Sequence, residues 1–530
     1  MVRGNEHSIL RRWTGMSRVE RVAQNVKFAA ISQLMLVLSN FVVRKVFIMM
    51  LGEEYLGLSG LFSDILSMLS LAELGFGTSI VFSLYKPLAE GNTEKIKSLM
   101  DLFKKVYQVI GIFVLAAGVS LTPFLGFFVK EMPQDIPYIE WIYILNVVNT
   151  GVSYFFIYKA SLLFADQKKY VEMIINTVVK LISAALQLLV LLFTRNYILY
   201  LCLMICATFL QNVVVSLKVD RMYPFLKDKQ IQKLEPEDTA VIKRNVGAMV
   251  FHKIGHVAVF STDSIIMAKF VSVAAVGIYS NYMLIRKALI NVIDLFFVSI
   301  AASMGNVNAC ETDEKKYEVY GHVYFLSAWT FGFICICLLC LYTPFITLWL
   351  GEEYLLPFST VFVIVLNFYM YCMRMPVNNT KEAMGLFWND RFKPIFEVIV
   401  NLVVSIVLVR QFGIDGVLWG TLISTVTVPF LVEPYVLYKR GLKKRVSEYY
   451  IRYFGYLGIT AAAAVITAGL CGLTSSGVEG FLVKMAICAI VPNVIYLVVY
   501  HRTKDFQYLQ TIFVKLYSKI LVRWRGKKCQ

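Results

Sequence analysis

The feature that most constrains this chain is the recurrence of apolar stretches long enough to cross a bilayer. About 14 segments of roughly 20 residues meet that length. Their limits are 28–50, 58–85, 106–128, 138–165, 171–193, 197–217, 246–271, 278–304, 320–343, 358–384, 392–410, 415–437, 451–473 and 480–500. Hydrophobic residues make up 58% of the chain and charged ones 16%, with a mean hydropathy of +0.65. Soluble domains lie near 45–50% apolar. In lipid every backbone polar group must be satisfied within the segment, which favours helices. The expected fold is an all-α polytopic membrane protein.

The connecting loops test this count. "VRGNEHSILRRWTGMSRVERVAQNVK", "KPLAEGNTEKIKSLMDLFKK", "KVDRMYPFLKDKQIQKL", "YKRGLKKRV" and the stretch after His501 are basic. The loops between them, "GEEYLG", "EMPQDIPY", "SVAAVG", "GEEYLLP" and "SSGVEG", are not. Lysine and arginine gather on the cytoplasmic side of membrane proteins, so both termini are expected in the cytoplasm and the number of spans is expected to be even. The net charge of +17 then reflects topology, and no nucleic-acid partner is expected.

Five residues, LGEEY, occur at Leu51 and again at Leu350. They follow the first and ninth spans, so they read as two solutions to one local problem, a tight external turn. A better repeat has a register of 221–225 residues. Thr122 and Thr343 open "TPFL" and "TPFI"; Leu145 and Leu366 open "LN"; Glu172 and Glu397 open "EMIINTVV" and "EVIVNLVV". The expected organisation is a basic N-terminus (1–27), a six-helix bundle (28–217), a cytoplasmic linker (218–245) and a second six-helix bundle (246–437). Two further spans (438–500) and a basic amphipathic tail (501–530) complete it. Six spans per repeat place the pseudo-twofold axis along the membrane normal.

The run "LGEEYLGLSGLFSDILSMLSLAELGFGTSIVFSLYKPLAEGN", with its glycine-bearing turn, its "ELGFG" and its closing "KPLAEGN", resembles the first hairpin of bacterial polysaccharide-export flippases. These belong to the multidrug/oligosaccharidyl-lipid/polysaccharide (MOP) superfamily. The two-bundle layout extends the resemblance over nearly the whole chain. It implies a transporter of the bacterial cytoplasmic (inner) membrane that exports a polyprenyl-diphosphate-linked oligosaccharide by alternating access. The lipid II flippase and the multidrug antiporters of the same superfamily are the alternatives. A membrane-embedded glycosyltransferase would need a sizeable external loop, and these loops are short, so no enzyme is expected. Polymerases and glycosyltransferases would be partners in assembly.

A diphosphate crossing hydrocarbon needs a cationic, hydrated route, and arginine offers bidentate contacts. The intramembrane cations Arg44, Lys180, Lys253, Arg286, Lys287 and Arg374 are the candidates for that role. Arg44 and Asp64 lie at similar depth on either side of the first external turn, as do Asp263 and Arg286 about the fourth. Each couple is read as a pair that holds its hairpin or gates the cavity. His252, Lys253, His256 and Asp263 include positions on one face of the seventh span. Glu397 and Asn401 share a face of the eleventh. In related lipid-precursor flippases, acid and amide groups on these two spans form a sodium site, so the resemblance makes His256, Glu397 and Asn401 ion-site candidates. Glu172 and Asn176 repeat the acid–amide couple in the first half and point instead to packing. Lys159, Lys269, Lys381, Arg452 and Lys484 are expected to snorkel.

No cofactor is expected. Coupling to Na+ or H+ and drive by the membrane potential alone are both open. Cys335, Cys337 and Cys340 lie in an apolar run without histidine or acid nearby and read as helix-packing residues, not as a metal site. No cleavage pattern follows the paired arginines of "LRRWTG". In the tail, Phe506, Leu509, Phe513, Leu516, Ile520 and Trp524 alternate with basic positions, a pattern suited to anionic lipid.

Overall fold

A computed structural model describes residues 18–511 and Val514, apart from 74–75, 243–260 and scattered positions between 229 and 241. Among the described residues all regular structure is helical, and 10 helices are long and apolar enough to cross a membrane. The shortfall from 14 has local causes. Two expected spans share one element of 50 residues, one is broken, one lies largely outside the described residues, and the span expected at 278–304 lies in a helix, Val273–Cys310, whose side chains beyond Phe297 are outside the described ones.

The first helix, α1 (Arg18–Leu51), ends at the first LGEEY turn. Gly52 has φ 91° and starts α2 (Glu53–Leu69). Gly351, in the second copy, has φ 120°. Both turns therefore need a left-handed backbone that only glycine adopts without strain. In the first copy, Glu53 and Glu54 occupy the first turn of α2, where the helix dipole favours acids. Local turn chemistry thus accounts for the repeated pentapeptide.

The expected span 58–85 is interrupted. After α2 comes a 3-10 turn, Ser70–Glu73, and then α3 (Phe76–Glu90). The 3-10 turn is followed by a helix with Gly77 in its first turn, a residue of low helix propensity. Tyr107 donates to Glu73 Oε1 at 3.1 Å, so the acid at the break finds a partner on the next helix. That helix is α4 (Thr93–Ser120), whose N-cap Asn92 accepts from the Lys95 amide. It is followed by α5 (Ile139–Ala165), α6 (Lys169–Thr194) and α7 (Tyr197–Met222).

The second half contains α8 (Val273–Cys310), α9 (Asp313–Trp349), α10 (Phe358–Ala383) and α11 (Lys393–Thr427). Within α11 the chain reverses at Gly413 (φ 56°, ψ −130°). Its two arms then pack so closely that a Cβ on Gly416 would lie 2.3 Å from the Leu408 carbonyl, and one on Gly420 would lie 2.1 Å from Ser405 Oγ. Spans 11 and 12 are therefore a helical hairpin with a glycine at its bend. Next come α12 (Pro429–Val436), a π turn over Leu437–Leu442, α13 (Val446–Gly472) and α14 (Gly477–Tyr500).

By packing, the chain divides into two units, 1–280 with 287–295 and 281–286 with 296–530. The chain thus passes from one unit to the other within α8. In the first unit α1 packs on α6, and α5 on α4 and α7. In the second, α9 is central, touching α10, α13 and α14. Phe325 and Ile336 of α9 form a buried cluster with Ala463, Tyr496 and Tyr500. Phe506 and Leu509 pack against that cluster, so the start of the tail docks on the second unit's core. Asp505 lies 2.7 Å from His322 Nδ1, and Tyr508 stacks on the same imidazole at 3.9 Å. Phe513, Leu516, Ile520 and Trp524 lie outside the described residues.

Candidate functional site: charges inside the helical bundles

In the first unit, α2 and α8 meet through two glycines. A Cβ on Gly57 would sit 1.9 Å from the Val273 carbonyl, and one on Gly277 2.2 Å from the Glu53 carbonyl. This close approach brings Ser280 within reach of α1, where Arg44 Nη1 donates to its hydroxyl at 2.9 Å. Arg44 stands seven residues before the end of α1, about 10 Å along the axis at 1.5 Å per residue. Tyr197 and Tyr200 of α7 are its electrostatic neighbours.

Asp64 hydrogen-bonds Ser264 and feels the charge of Lys287. Among the described residues no ion pair joins Asp64 to Arg44; each has turned to a serine on the opposing hairpin. Lys287 also acts on Lys180, and Glu172 lies near Lys180. Lys287 is fourteen residues into α8 and Lys180 eleven into α6, about 21 and 16 Å from the helix starts. All three cations thus stand at least about 10 Å from the nearer end of their helices. Among the described residues, Arg44, Lys180 and Lys287 make no ion pair within 4 Å.

The second unit handles its charges differently. Arg374 of α10 meets Glu433 of α12 in a fork, Nε to Oε2 at 2.9 Å and Nη2 to Oε1 at 2.8 Å. Lys393 donates to the same Oε1 at 2.5 Å. Glu397 lies 3.5 Å from Arg374 Nη1. Asp390 is bonded to Lys381 and lies 3.8 Å from Lys393. Three cations and three carboxylates thus form a neutral, buried network, with both the Glu433 and Asp390 side chains at 0% exposure. Lys381 does not snorkel: its side chain is 3% exposed and held by Asp390. Glu433 and Asp390 were not singled out from the sequence. The acid inside the apolar "FLVEPY" was the available signal for Glu433.

The first unit has its own polar ties near the corresponding loop. Lys159 donates to Ser216 at 2.8 Å and to both oxygens of Asp220 at 2.7 Å, so it too is paired rather than snorkelling. Asp166 accepts from Tyr223 at 2.5 Å and pairs with Lys168. Lys159, Asp166 and Glu172 occur in the same order as Lys381, Asp390 and Glu397, so the repeat extends into the charged loops.

The remaining candidates fall as follows. Arg286 belongs to the second unit and lies over the Tyr371 ring at 5.4 Å. Asp263 is buried in the first unit. Asn401 donates to Thr421 Oγ1 at 3.0 Å, while Glu397 faces arginine, so this couple is divided between two partners. Glu172 neighbours Lys169 and Lys180, as Glu397 neighbours Arg374 and Lys393. His252, Lys253 and His256 lie outside the described residues. Lys269 reaches the Val129 carbonyl at 3.4 Å and the Phe127 ring at 5.2 Å. Arg452 lies over Tyr317 at 5.2 Å.

No protein-family model matches the chain, and no curated relative does. Solved structures do resemble it. The lipid II flippase MurJ in an inward closed conformation matches with a TM-score of 0.64 and 13% identity, over 90% of this chain and 98% of its own. An inward-facing multidrug resistance transporter of the MATE family, MOP superfamily, gives 0.63 and 12%, over 79% and 99%. The Vibrio cholerae MATE transporter VcmN gives 0.56 and 15%, over 80% and 99%. These neighbours are described as transporters and a flippase, not as enzymes. The chain has an all-helical, polytopic fold similar to that of these transporters.

Proposed function

We propose that this protein is a flippase that moves a polyprenyl-diphosphate-linked oligosaccharide from the inner to the outer face of the bacterial cytoplasmic membrane. The observation that carries this reading is the set of Arg44, Lys180 and Lys287, three intramembrane cations that make no ion pair with a carboxylate among the described residues. A charge at mid-bilayer costs at least about 2.5–3.5 kcal/mol. Two lysines close enough to repel each other add to that cost unless water or an anion lies between them. A diphosphate supplies the missing charge. A cavity built to take cationic drugs would not be lined this way. The MurJ match also covers eleven percentage points more of the chain than the inward-facing MATE match. That share is close to the size of the last two helices, 27 and 24 residues.

Transport would proceed by rocking of the bundles about the bound headgroup. A substrate with two negative charges gains about 4.6 kcal/mol moving outward across 100 mV, inside negative. That gain drives a cycle without a coupled ion, and Na+ or H+ coupling is a variant of it. The glycan, anionic lipids at the tail and the assembly enzymes of the polymer are the proposed partners.

The test is extraction of polyprenyl-linked glycans from cells lacking the protein, identified by mass spectrometry. Accumulation of one diphosphate-linked oligosaccharide, reversed by wild type but not by Lys180→Ala or Lys287→Ala, supports the reading. Accumulation of lipid II instead identifies the peptidoglycan precursor as cargo. An unchanged lipid pool with altered sensitivity to cationic drugs overturns the reading in favour of a multidrug antiporter.

A further inference from the structure

Three thiols that are far apart in sequence converge in the second unit. Cys340 comes from α9, Cys471 from α13 and Cys488 from α14, and their sulfurs all lie within 4.8 Å of one another. The Cys471 and Cys488 sulfurs are 3.8 Å apart, and all three are free thiols. Cys471 and Cys488 are 5% and 1% exposed. Cys337, one turn before Cys340, brings its sulfur to 4.0 Å from the Cys488 carbonyl.

We infer that Cys340, Cys471 and Cys488 form a tri-thiolate site for a soft divalent metal ion of the zinc class, joining α9, α13 and α14. The spacing fits that chemistry. A zinc–sulfur bond is about 2.3 Å, and tetrahedral geometry then sets neighbouring sulfurs about 3.8 Å apart. That is the Cys471–Cys488 separation as it stands. Cys340 closes the triangle with a small side-chain adjustment.

Charge balance points the same way. Three thiolates carry three negative charges, which burial in an apolar bundle would forbid on their own. A divalent ion cancels two. Lys484, on α14, lies near enough for its charge to act on Cys471 and offsets part of the third. A divalent ion thus leaves one formal negative charge beside Lys484, whereas a monovalent ion would leave two. This also gives Lys484 a role other than snorkelling. On binding, each thiol loses its proton and gains a metal–sulfur bond, so three protons leave as one ion enters. Two of the three helices, α13 and α14, follow the repeat and the third, α9, belongs to its second half; the cations proposed to bind the diphosphate belong to the first unit. Its function would be to fasten the last helix pair to α9.

The sequence hid this site because the ligands sit on three helices, and the visible cluster, Cys335–Cys340, contributes one of them. The experiment uses the full chain, purified in detergent under reducing, metal-free conditions and titrated with Cd2+. A thiolate-to-cadmium ultraviolet band saturating at one ion per chain is expected, with proton release and displacement by Zn2+. The band should be lost in Cys471→Ser and Cys488→Ser and kept in Cys335→Ser and Cys372→Ser. Should the serine variants fail to fold, wild type alone decides: Zn2+ should slow alkylation of Cys340, Cys471 and Cys488 at least tenfold relative to Cys202. Absence of a stoichiometric band, or equal alkylation with and without Zn2+, overturns the assignment. Neither result bears on lipid-linked glycan export, so the two readings fail separately.

Discussion

Glu433→Gln is the sharpest perturbation of the second unit. The wild-type carboxylate is fully buried and accepts three charge-assisted hydrogen bonds, two from Arg374 and one from Lys393. Without its charge, the network of three cations and three acids becomes net positive. The remaining acids cannot make up the loss, since Glu397 lies 3.5 Å from Arg374 and Asp390 3.8 Å from Lys393. Removing one partner of a buried pair costs about 3–5 kcal/mol. Glutamine keeps one oxygen as an acceptor, which places the cost near the lower end, about 3 kcal/mol. That is a more than hundredfold change in the ratio of folded to unfolded protein. The assay is the fraction of detergent-solubilised protein that stays monodisperse on heating, followed for wild type, Glu433→Gln, Arg374→Gln and the double variant. Because the double variant restores neutrality, it should be less destabilised than the sum of the singles by about 1–3 kcal/mol. A Glu433→Gln protein as stable as wild type, or strict additivity in the cycle, would refute the reasoning.

Three further outcomes follow from the geometry. Arg44→Gln, Lys180→Gln and Lys287→Gln should leave the folded yield unchanged while reducing clearance of the lipid-linked glycan, and Arg374→Gln should do the reverse; membrane abundance and lipid extracts measure the two. Gly57→Val and Gly277→Val place side chains into opposing backbone carbonyls and should each cut the yield of monodisperse protein severely, with Gly60→Ala, whose Cβ would find a side-chain atom no nearer than 3.5 Å, as the tolerated control. Asp505→Ala removes the partner of His322 and should raise amide hydrogen exchange over residues 504–511 without altering exchange in α4.

The sequence by itself determined the helical, membrane-spanning class, because hydropathy and the alternation of basic loops depend on composition along the chain. It also revealed both LGEEY turns, since a glycine with positive φ is a local requirement. Spans 11 and 12 were legible as two apolar runs, 392–410 and 415–437, whereas the glycine that turns the chain between them, Gly413, was seen only in the structure. Tertiary structure decided which charges are satisfied. Lys159 and Lys381 read as snorkelling residues because their carboxylates, Asp220 and Asp390, lie outside the apolar spans in the sequence. Arg374 ranked beside Lys180 as a free cation because Glu433 is 59 residues away. Cys340 read as packing because Cys471 and Cys488 arrive from later helices. Hydrophobicity is a property of each residue, but a partner is a property of the packing, and helix packing joins positions that no spacing along the chain can connect.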